Sequence, residues 1–488
     1  MHAGLMSEAA RWNGRIFSGE WTHGAGGSQD VIEKATGNVL AQTGIAAPDD
    51  VTRAAQIAKA AQPAWAAVPI EEKSAIFRRA INLIEQHRTE MTEWIMRESG
   101  GLRAKGEGEL RSSTNCLNYA AAMLTESPGI LLPSNPGRLS YARRMPHGVV
   151  GIISPFNFPL ILSMRAIAPA LATGNAVIVK PDHQTAICGG LMIARLFEEA
   201  GLPPGVLHIL PGDAPAGAAV CTDPLISMVA FTGSTAAGRK VAAACGEHLK
   251  KVSLELGGKN TLMILEDADL DLAASNAAFA AWLHQGQVCM ASGRILVQRK
   301  IVPALTERLK EKARRLRVGD PMDPEVGMGP IINHRQLQQI HQIVQDTLAA
   351  GATLHAGGTH EDLFYRPTVL SGVEAGMPAF DKEIFGPVAA ITPFDTDEEA
   401  IAMANQTEYG LSAGILSKSV GRAMAIGNQL QTGLVHINDQ TIHSDATVPY
   451  GGRGASGNGS RIGGPANWEE FTQWQWVTIK ETPLRFPY

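Results

Sequence analysis

From residue 148 onward the chain is built of short apolar runs, each stopped by glycine, proline or a polar turn. The first four are Val149-Val150-Gly151-Ile152-Ile153, Ala176-Val177-Ile178-Val179, Val206-Leu207-His208-Ile209-Leu210 and Ile226-Ser227-Met228-Val229-Ala230-Phe231. Helix-like stretches such as 187–200 lie between them. Strands that are apolar throughout, rather than alternating, are buried on both faces, and their alternation with helices implies a parallel sheet covered on each side. A second such series starts near Asn260, with runs at 261–265, Ile295-Leu296-Val297 and Leu434-Val435-His436-Ile437. Asp267 and Asp269 stand before an alanine-rich stretch, where a helix dipole favours acids. The chain of 488 residues therefore carries two α/β units, in line with about 100–200 residues per domain.

The first third reads as helical. In residues 70–98, Phe77, Ile81, Ile84, Met91 and Ile95 recur at helical spacing and form one apolar stripe. The alanine-rich piece from Val51 reads as a helix ending just before Pro63. The glycine-dense stretch 451–464 reads as a loop. Lys and Arg total 42 against 47 Asp and Glu, which gives no electrostatic case for nucleic acid or an anionic membrane. Arg143-Arg144 is read as a solvated strand end. Cys116, Cys188, Cys221, Cys245 and Cys289 form no C-x-x-C pair. A disulfide framework or metal site is not expected, and a reducing, cytoplasmic setting is. The first dozen residues hold no apolar core of a signal peptide, and no uninterrupted apolar run is long enough for a membrane span.

Five segments can carry chemistry, and each also has a plainer reading. Cys289, in Gln285-Gly286-Gln287-Val288-Cys289, is either a small buried hydrophobe or an accessible nucleophile. Glu255 closes an apolar run before Leu256-Gly257-Gly258-Lys259. It either pairs with Lys259 or Lys251, or is a buried carboxyl raised in pKa and usable as a general base. Thr232-Gly233-Ser234 follows a strand and opens a helix, either as an ordinary turn or as a phosphate-binding helix start. Asn157, between Pro155 and Pro159, is a turn former or an amide donor to a developing oxyanion. Lys180-Pro181 puts an ammonium at a strand end, as a surface lysine or as a ribose or phosphate ligand.

Taken together and in this order, these segments resemble the aldehyde dehydrogenase superfamily, from about Val31 to the C-terminus. The resemblance also includes Gly174-Asn175-Ala176-Val177 and Glu383-Ile384-Phe385-Gly386-Pro387. Within the family, Leu283-His284-Gln285-Gly286-Gln287-Val288-Cys289-Met290, Val435-His436-Ile437-Asn438-Asp439-Gln440 and Glu469-Glu470-Phe471-Thr472-Gln473 look like bacterial benzaldehyde dehydrogenases. The resemblance implies an α/β fold with a Rossmann-type cofactor domain (1–123 and 148–257), an α/β catalytic domain (258–459) and a small β oligomerisation arm (124–147 and 460–488). It implies a Cys289 thiolate that attacks an aldehyde, an oxyanion held by Asn157 and the Cys289 N–H, hydride loss to a nicotinamide, and Glu255 as the base that hydrolyses the thioester. For NAD it implies pyrophosphate at Gly233 and Ser234, Lys180 on the adenosine ribose, Glu383 on the nicotinamide ribose and Phe385 beside the ring. A homodimer or homotetramer follows from the arm.

Two departures bear on function. Phe156 stands where many members have Trp. His183 stands where NAD-specific relatives often have Glu, so Asp182 becomes the residue to disfavour a 2′-phosphate; NAD is expected, with NADP as the alternative. The favoured substrate is a benzaldehyde-like aromatic aldehyde; the alternatives are an aliphatic aldehyde or a semialdehyde, with Arg165 and Arg294 as the arginines open to bind a carboxylate. Glu255 argues against a CoA-acylating relative, and intact Cys289, Glu255 and Asn157 argue against a non-catalytic binding protein.

Overall fold

The computed structural model describes residues 4–488. A seven-stranded sheet runs in the spatial order Lys251–Glu255, Met228–Thr232, Val149–Ile153, Ala176–Lys180, Leu207–Ile209, Ile16–Ser18, Trp21–Thr22. The first five strands are parallel, and the last two return antiparallel. Side chains alternate between the two covered faces. Val150, Ile152, Val177 and Val179 pack with Leu160, Ile167 and Leu171 of helix Pro159–Ala172. Val149, Ile153 and Ile178 pack with Val51, Ala54 and Ala58 of helix Pro48–Ala67. Each such side chain contributes about 1.5–3 kcal/mol by leaving water, which is why these strands have no polar face.

The chain leaves Val149–Ile153 toward Ala176–Lys180 on one side and later returns to pair Met228–Thr232 on the other. This reversal opens a crevice at the carboxyl ends of the strands, where open α/β sheets bind ligands. Residues 154–158 and 233–234 lie directly beyond those ends.

A second sheet has the order Thr353–Ala356, Thr368–Ser371, Val388–Phe394, Arg294–Gln298, Thr261–Ile264, Ser412–Leu416, Leu434–Ile437. Only its first strand is antiparallel. Its apolar layers differ on the two faces: Met263, Leu296 and Ile415 on one, and Leu262, Ile295 and Leu416 on the other. The third sheet is antiparallel and joins Gly129–Leu131, Leu139–Pro146 and Thr472–Ile479. It presents Ile130, Leu131, Trp474 and Trp476 to solvent.

Several local expectations change. The helix from Pro48 does not stop before Pro63 but runs to Ala67. Gln62 donates to the Gly174 carbonyl at 2.9 Å and the buried Trp65 indole donates to Leu171 at 3.0 Å. These tertiary anchors offset the bond Pro63 forfeits. The stripe in 70–98 is split at His87 into helices Ile70–Gln86 and Arg88–Ser99. Arg143 and Arg144 lie inside a strand rather than at its end. Arg144 stacks over Trp468 and Trp474 at 5.4 and 4.7 Å and pairs with Glu469. Asp269 caps helix Leu270–Trp282 as anticipated, whereas Asp267 accepts from Ser417 Oγ and the Ser419 N–H. The 451–464 segment is mostly loop, but Arg453–Gly454 pairs with Tyr409–Gly410. Among the described residues, no helix is long and apolar enough to cross a membrane.

Candidate active site

Cys289 follows helix Leu270–Trp282 through a turn in which His284, Gln285 and Gly286 all take left-handed backbone, with φ of 47°, 58° and 69°. Non-glycine residues adopt this conformation only when their surroundings hold them there. The Gln285 amide donates to the Gly100 carbonyl at 2.7 Å, and Gln287 Oε1 accepts from the Ile332 N–H at 3.0 Å. At Gly286 a side chain is impossible: a Cβ would lie 2.1 Å from the Gly386 carbonyl oxygen. The turn aims the Cys289 thiol at the phenol of Tyr450, with Sγ 3.4 Å from Oη. Burial pushes the thiol pKa up, against the hydrogen bond from Tyr450. The other four cysteines are buried, and all five are free thiols.

Glu255 closes strand Lys251–Glu255 and is 6 % exposed. Its carboxyl pairs with neither Lys251 nor Lys259, and neither oxygen has a protein hydrogen-bond partner. Burial holds it well above the usual carboxylate range, with Arg165 and Arg461 pulling the other way and Glu470 adding to the rise. Glu255 and Cys289 line one cavity with Arg165, Tyr450, Leu162 and Thr232. Asn157 and Cys289 share the wall of an adjoining cavity of about 420 Å³ with Phe158, Leu162, Met290 and Tyr450. Asn157 is buried, and one amide N–H donates to the Gln287 carbonyl at 2.9 Å. A primary amide has a second N–H to give. The segment is held by Glu109, whose Oε2 accepts the N–H groups of Leu160 and Ile161 at 3.0 and 3.1 Å. Lys105 pairs with the other oxygen of Glu109 at 2.5 Å.

Glu383 accepts the Gly258 N–H at 3.0 Å. Burial raises its carboxyl to about 7, opposed by that bond and by Lys259. Phe385, left-handed at φ 51°, meets Phe156 edge to face at 6.0 Å. Gly233 and Ser234 stand where strand Met228–Thr232 turns into helix Thr235–Glu247, and Ser234 Oγ accepts the Ala237 N–H at 3.3 Å. A Cβ on Gly233 would meet the Phe231 ring at 2.6 Å.

Lys180 and Asp182 lie apart from the thiol, at the next strand end of the first sheet. The Lys180 ammonium donates to the Gly212 carbonyl at 2.5 Å, and burial lowers its pKa. Asp182 accepts the Gln184 N–H at 2.9 Å, and His183 Nδ1 lies 3.0 Å from Asp213.

Of the two arginines left open, Arg294 is taken up by the fold. It is buried and donates to the carbonyls of Lys259, Met403, Ala404 and Gln406. Arg165 lines both cavities. Tyr450 escaped the reading of the sequence. It is 161 residues from Cys289 and no local motif marks it; Tyr before the glycines 451 and 452 is its only trace.

This arrangement has known counterparts. The family model described as "Aldehyde dehydrogenase family" matches residues 21–477. A vanillin dehydrogenase from an Amycolatopsis species is 49 % identical, over 98 % of this chain and 99 % of that one. The benzaldehyde dehydrogenase [NAD(+)] of Pseudomonas putida is 48 % identical, over 98 % of each chain. The crystal structure of betaine aldehyde dehydrogenase from Staphylococcus aureus, in complex with NAD+, is 29 % identical and superposes with a TM-score of 0.95, over 99 % of this chain and 98 % of that one. The chain belongs to the aldehyde dehydrogenase family, and its fold is that of the family. The likeness to bacterial benzaldehyde dehydrogenases noted in the sequence agrees with these relatives.

Proposed function

We propose that this enzyme oxidises a benzaldehyde-like aromatic aldehyde to its carboxylic acid, with NAD as the hydride acceptor. The observation that carries the reading is that Cys289 meets Glu255 in one cavity and Asn157 in the adjoining, largely apolar chamber. Phe158, Leu162, Val288, Met290 and Ile442 line it, a wall suited to a flat ring. Its relatives named vanillin dehydrogenase and benzaldehyde dehydrogenase point the same way.

Cys289, as thiolate, attacks the aldehyde carbon. The free Asn157 N–H and the Cys289 backbone N–H hold the oxyanion, where one such donor is worth about 3–4 kcal/mol. NAD, when bound, supplies the acceptor for the hydride that leaves this carbon. Glu255 then takes a proton from water, and the resulting hydroxide cleaves the thioester, forming the acid and releasing the Cys289 thiolate. Splitting the oxidation at a covalent stage replaces one hard step by two easier ones.

The chain's own residues fit a dinucleotide. The Gly233–Ser234 turn leads into a helix whose first N–H groups lack intrahelical partners. The packing around Gly233 keeps a side chain out of that turn. Glu383 would hold the nicotinamide ribose with Phe385 beside the ring, and Lys180 and Asp182 the adenosine ribose. In this reading 1–123 with 148–257 forms the cofactor domain and 258–459 the catalytic domain. Residues 124–147 with 460–488 form an arm that joins copies into a homodimer or homotetramer, and the enzyme works in the cytoplasm.

Initial rates of NADH and NADPH formation with benzaldehyde and with a short aliphatic aldehyde test the reading. A far higher kcat/KM for benzaldehyde with NAD is expected. Preference for the aliphatic aldehyde overturns the substrate, and preference for NADP overturns the role of Asp182. Full turnover by Cys289→Ala overturns the mechanism.

A further inference from the structure

Three features of the chamber wall are not used by the mechanism above: the Tyr450 phenol, the Arg165 guanidinium and the Ser444 hydroxyl. Tyr450 is 3 % exposed, and its Oη is 3.4 Å from the Cys289 sulfur. Arg165, on helix Pro159–Ala172, lies over the Tyr450 ring at 4.5 Å. Its Nη2 donates to Ser444 Oγ at 3.0 Å, and it makes no ion pair with any carboxylate among the described residues. A cation on the face of a phenol draws electron density from it and makes its O–H a stronger donor.

We propose that Tyr450 is a catalytic hydrogen-bond donor to the Cys289 sulfur, and that Arg165 is the positioning residue that orients and polarises it. The phenol donates its O–H to sulfur, and the bond tightens as the thiol gives its proton to solvent water, because a donor to an anion binds more strongly than one to a neutral atom. Tyr450 keeps its own proton throughout. Burial holds its phenol well above the ordinary tyrosine value, so it remains a donor across the working pH range. The groups facing the sulfur are Tyr450 and Arg165, which favour the thiolate, and Glu383 and Glu255, which oppose it. Arg461 and Glu470 act one step further out, on Glu255. Tyr450 and Arg165 thus work against the two carboxyls and the burial of the sulfur, which on balance still favour the neutral thiol.

The inference rests on Cys289 as the nucleophile, and one experiment separates the two. The rate of alkylation by iodoacetamide is followed from pH 6 to 10 in the wild type, Tyr450→Phe, Arg165→Met and Arg165→Lys, with peptide mapping of the label. Wild-type protein labelled elsewhere than Cys289 overturns the nucleophile itself. With the label on Cys289, Tyr450→Phe is expected to move the profile to higher pH and to slow labelling near pH 7 by about tenfold, the equivalent of one pKa unit. Arg165→Met is expected to shift it the same way and Arg165→Lys less, since lysine keeps the charge but not the planar stack. The acidic limb of kcat/KM should move with the labelling profile, which loss of packing alone would not do. Wild-type profiles in both Tyr450→Phe and Arg165→Met overturn the proposal. Thermal unfolding confirms that each variant is folded, and Tyr450→Phe retains the ring on which Arg165 rests.

Discussion

Replacing Glu255 by Gln should raise stability at alkaline pH while stopping turnover. The carboxyl is 6 % exposed, with no protein hydrogen-bond partner on either oxygen. Burial raises its pKa well above the ordinary 4.5. For an acid raised in this way, the folded state binds the proton more tightly than the unfolded chain does. No stability is lost below the unfolded value near 4.5; the loss grows as pH climbs from there to the folded pKa and is constant beyond it. An uncompensated buried polar group costs about 1–3 kcal/mol, and more when charged. Glutamine has the same shape and cannot ionise. Urea unfolding at pH 5 and pH 8.5 should therefore show Glu255→Gln gaining at least about 1 kcal/mol on the wild type between the two. In stopped flow the variant should still release a burst of NADH, because acylation does not need the base. The steady rate should fall by about 10²–10⁴, the usual worth of a general base. An equal stability difference at both pH values would refute the buried-base argument, whatever the kinetics showed.

Further outcomes follow from the same geometry. Gly286→Ala combines a left-handed backbone with a Cβ 2.1 Å from the Gly386 oxygen. The turn must move by about 1 Å, enough to cost roughly 10²-fold in rate, and a Tm and kcat that both match wild type would contradict it. Glu383, raised to about 7, is neutral below that value, so NAD affinity measured by nucleotide fluorescence should weaken as pH falls through 7, and Glu383→Gln should remove that dependence. On the arm, Trp474 and Trp476 lie exposed on the outer strand. Changing both to Glu should shift sedimentation to a smaller species if copies join through that face, and an unchanged profile would place the contact elsewhere.

The parts of this molecule legible in the sequence are those with local causes. Val149-Val150-Gly151-Ile152-Ile153 announces a doubly covered strand because both faces must be apolar. Asp269 announces a helix start because capping is a three-residue event. Pro63 misleads because its local cost is outweighed by the Gln62 and Trp65 bonds to a segment over 100 residues away. Arg143 and Arg144 mislead because two tryptophans from the C-terminal segment supply a surface for Arg144 that no neighbouring residue hints at. Tyr450 is invisible for the same reason. Cys289, Glu255 and Asn157 could be found only as an ordered set, since each alone has an ordinary explanation. The strained turn before Cys289 shows in the sequence only at Gly286, because His284 and Gln285 are residues that normally avoid its conformation.

One stretch explains why so much of the site is written in a single short motif. The last strand of the first sheet ends at Glu255 and the first strand of the second begins at Thr261. Leu256-Gly257-Gly258-Lys259-Asn260 is therefore the direct covalent link between the two sheets. A Cβ on Gly257 would strike the Glu383 carboxylate at 2.4 Å, and one on Gly258 would lie 2.6 Å from the Cys289 carbonyl oxygen. Asn260 Nδ2 donates to that same carbonyl at 2.8 Å, while its Oδ1 accepts from Ser412 in the second sheet at 2.9 Å. The link thus passes between the proposed ribose-binding carboxylate and the backbone of the nucleophile, and only glycine leaves room for both. Its shortness sets the base five residues from Asn260, the side chain that holds the carbonyl of the nucleophile. Lengthening it by even one residue would change that spacing without touching any group that reacts.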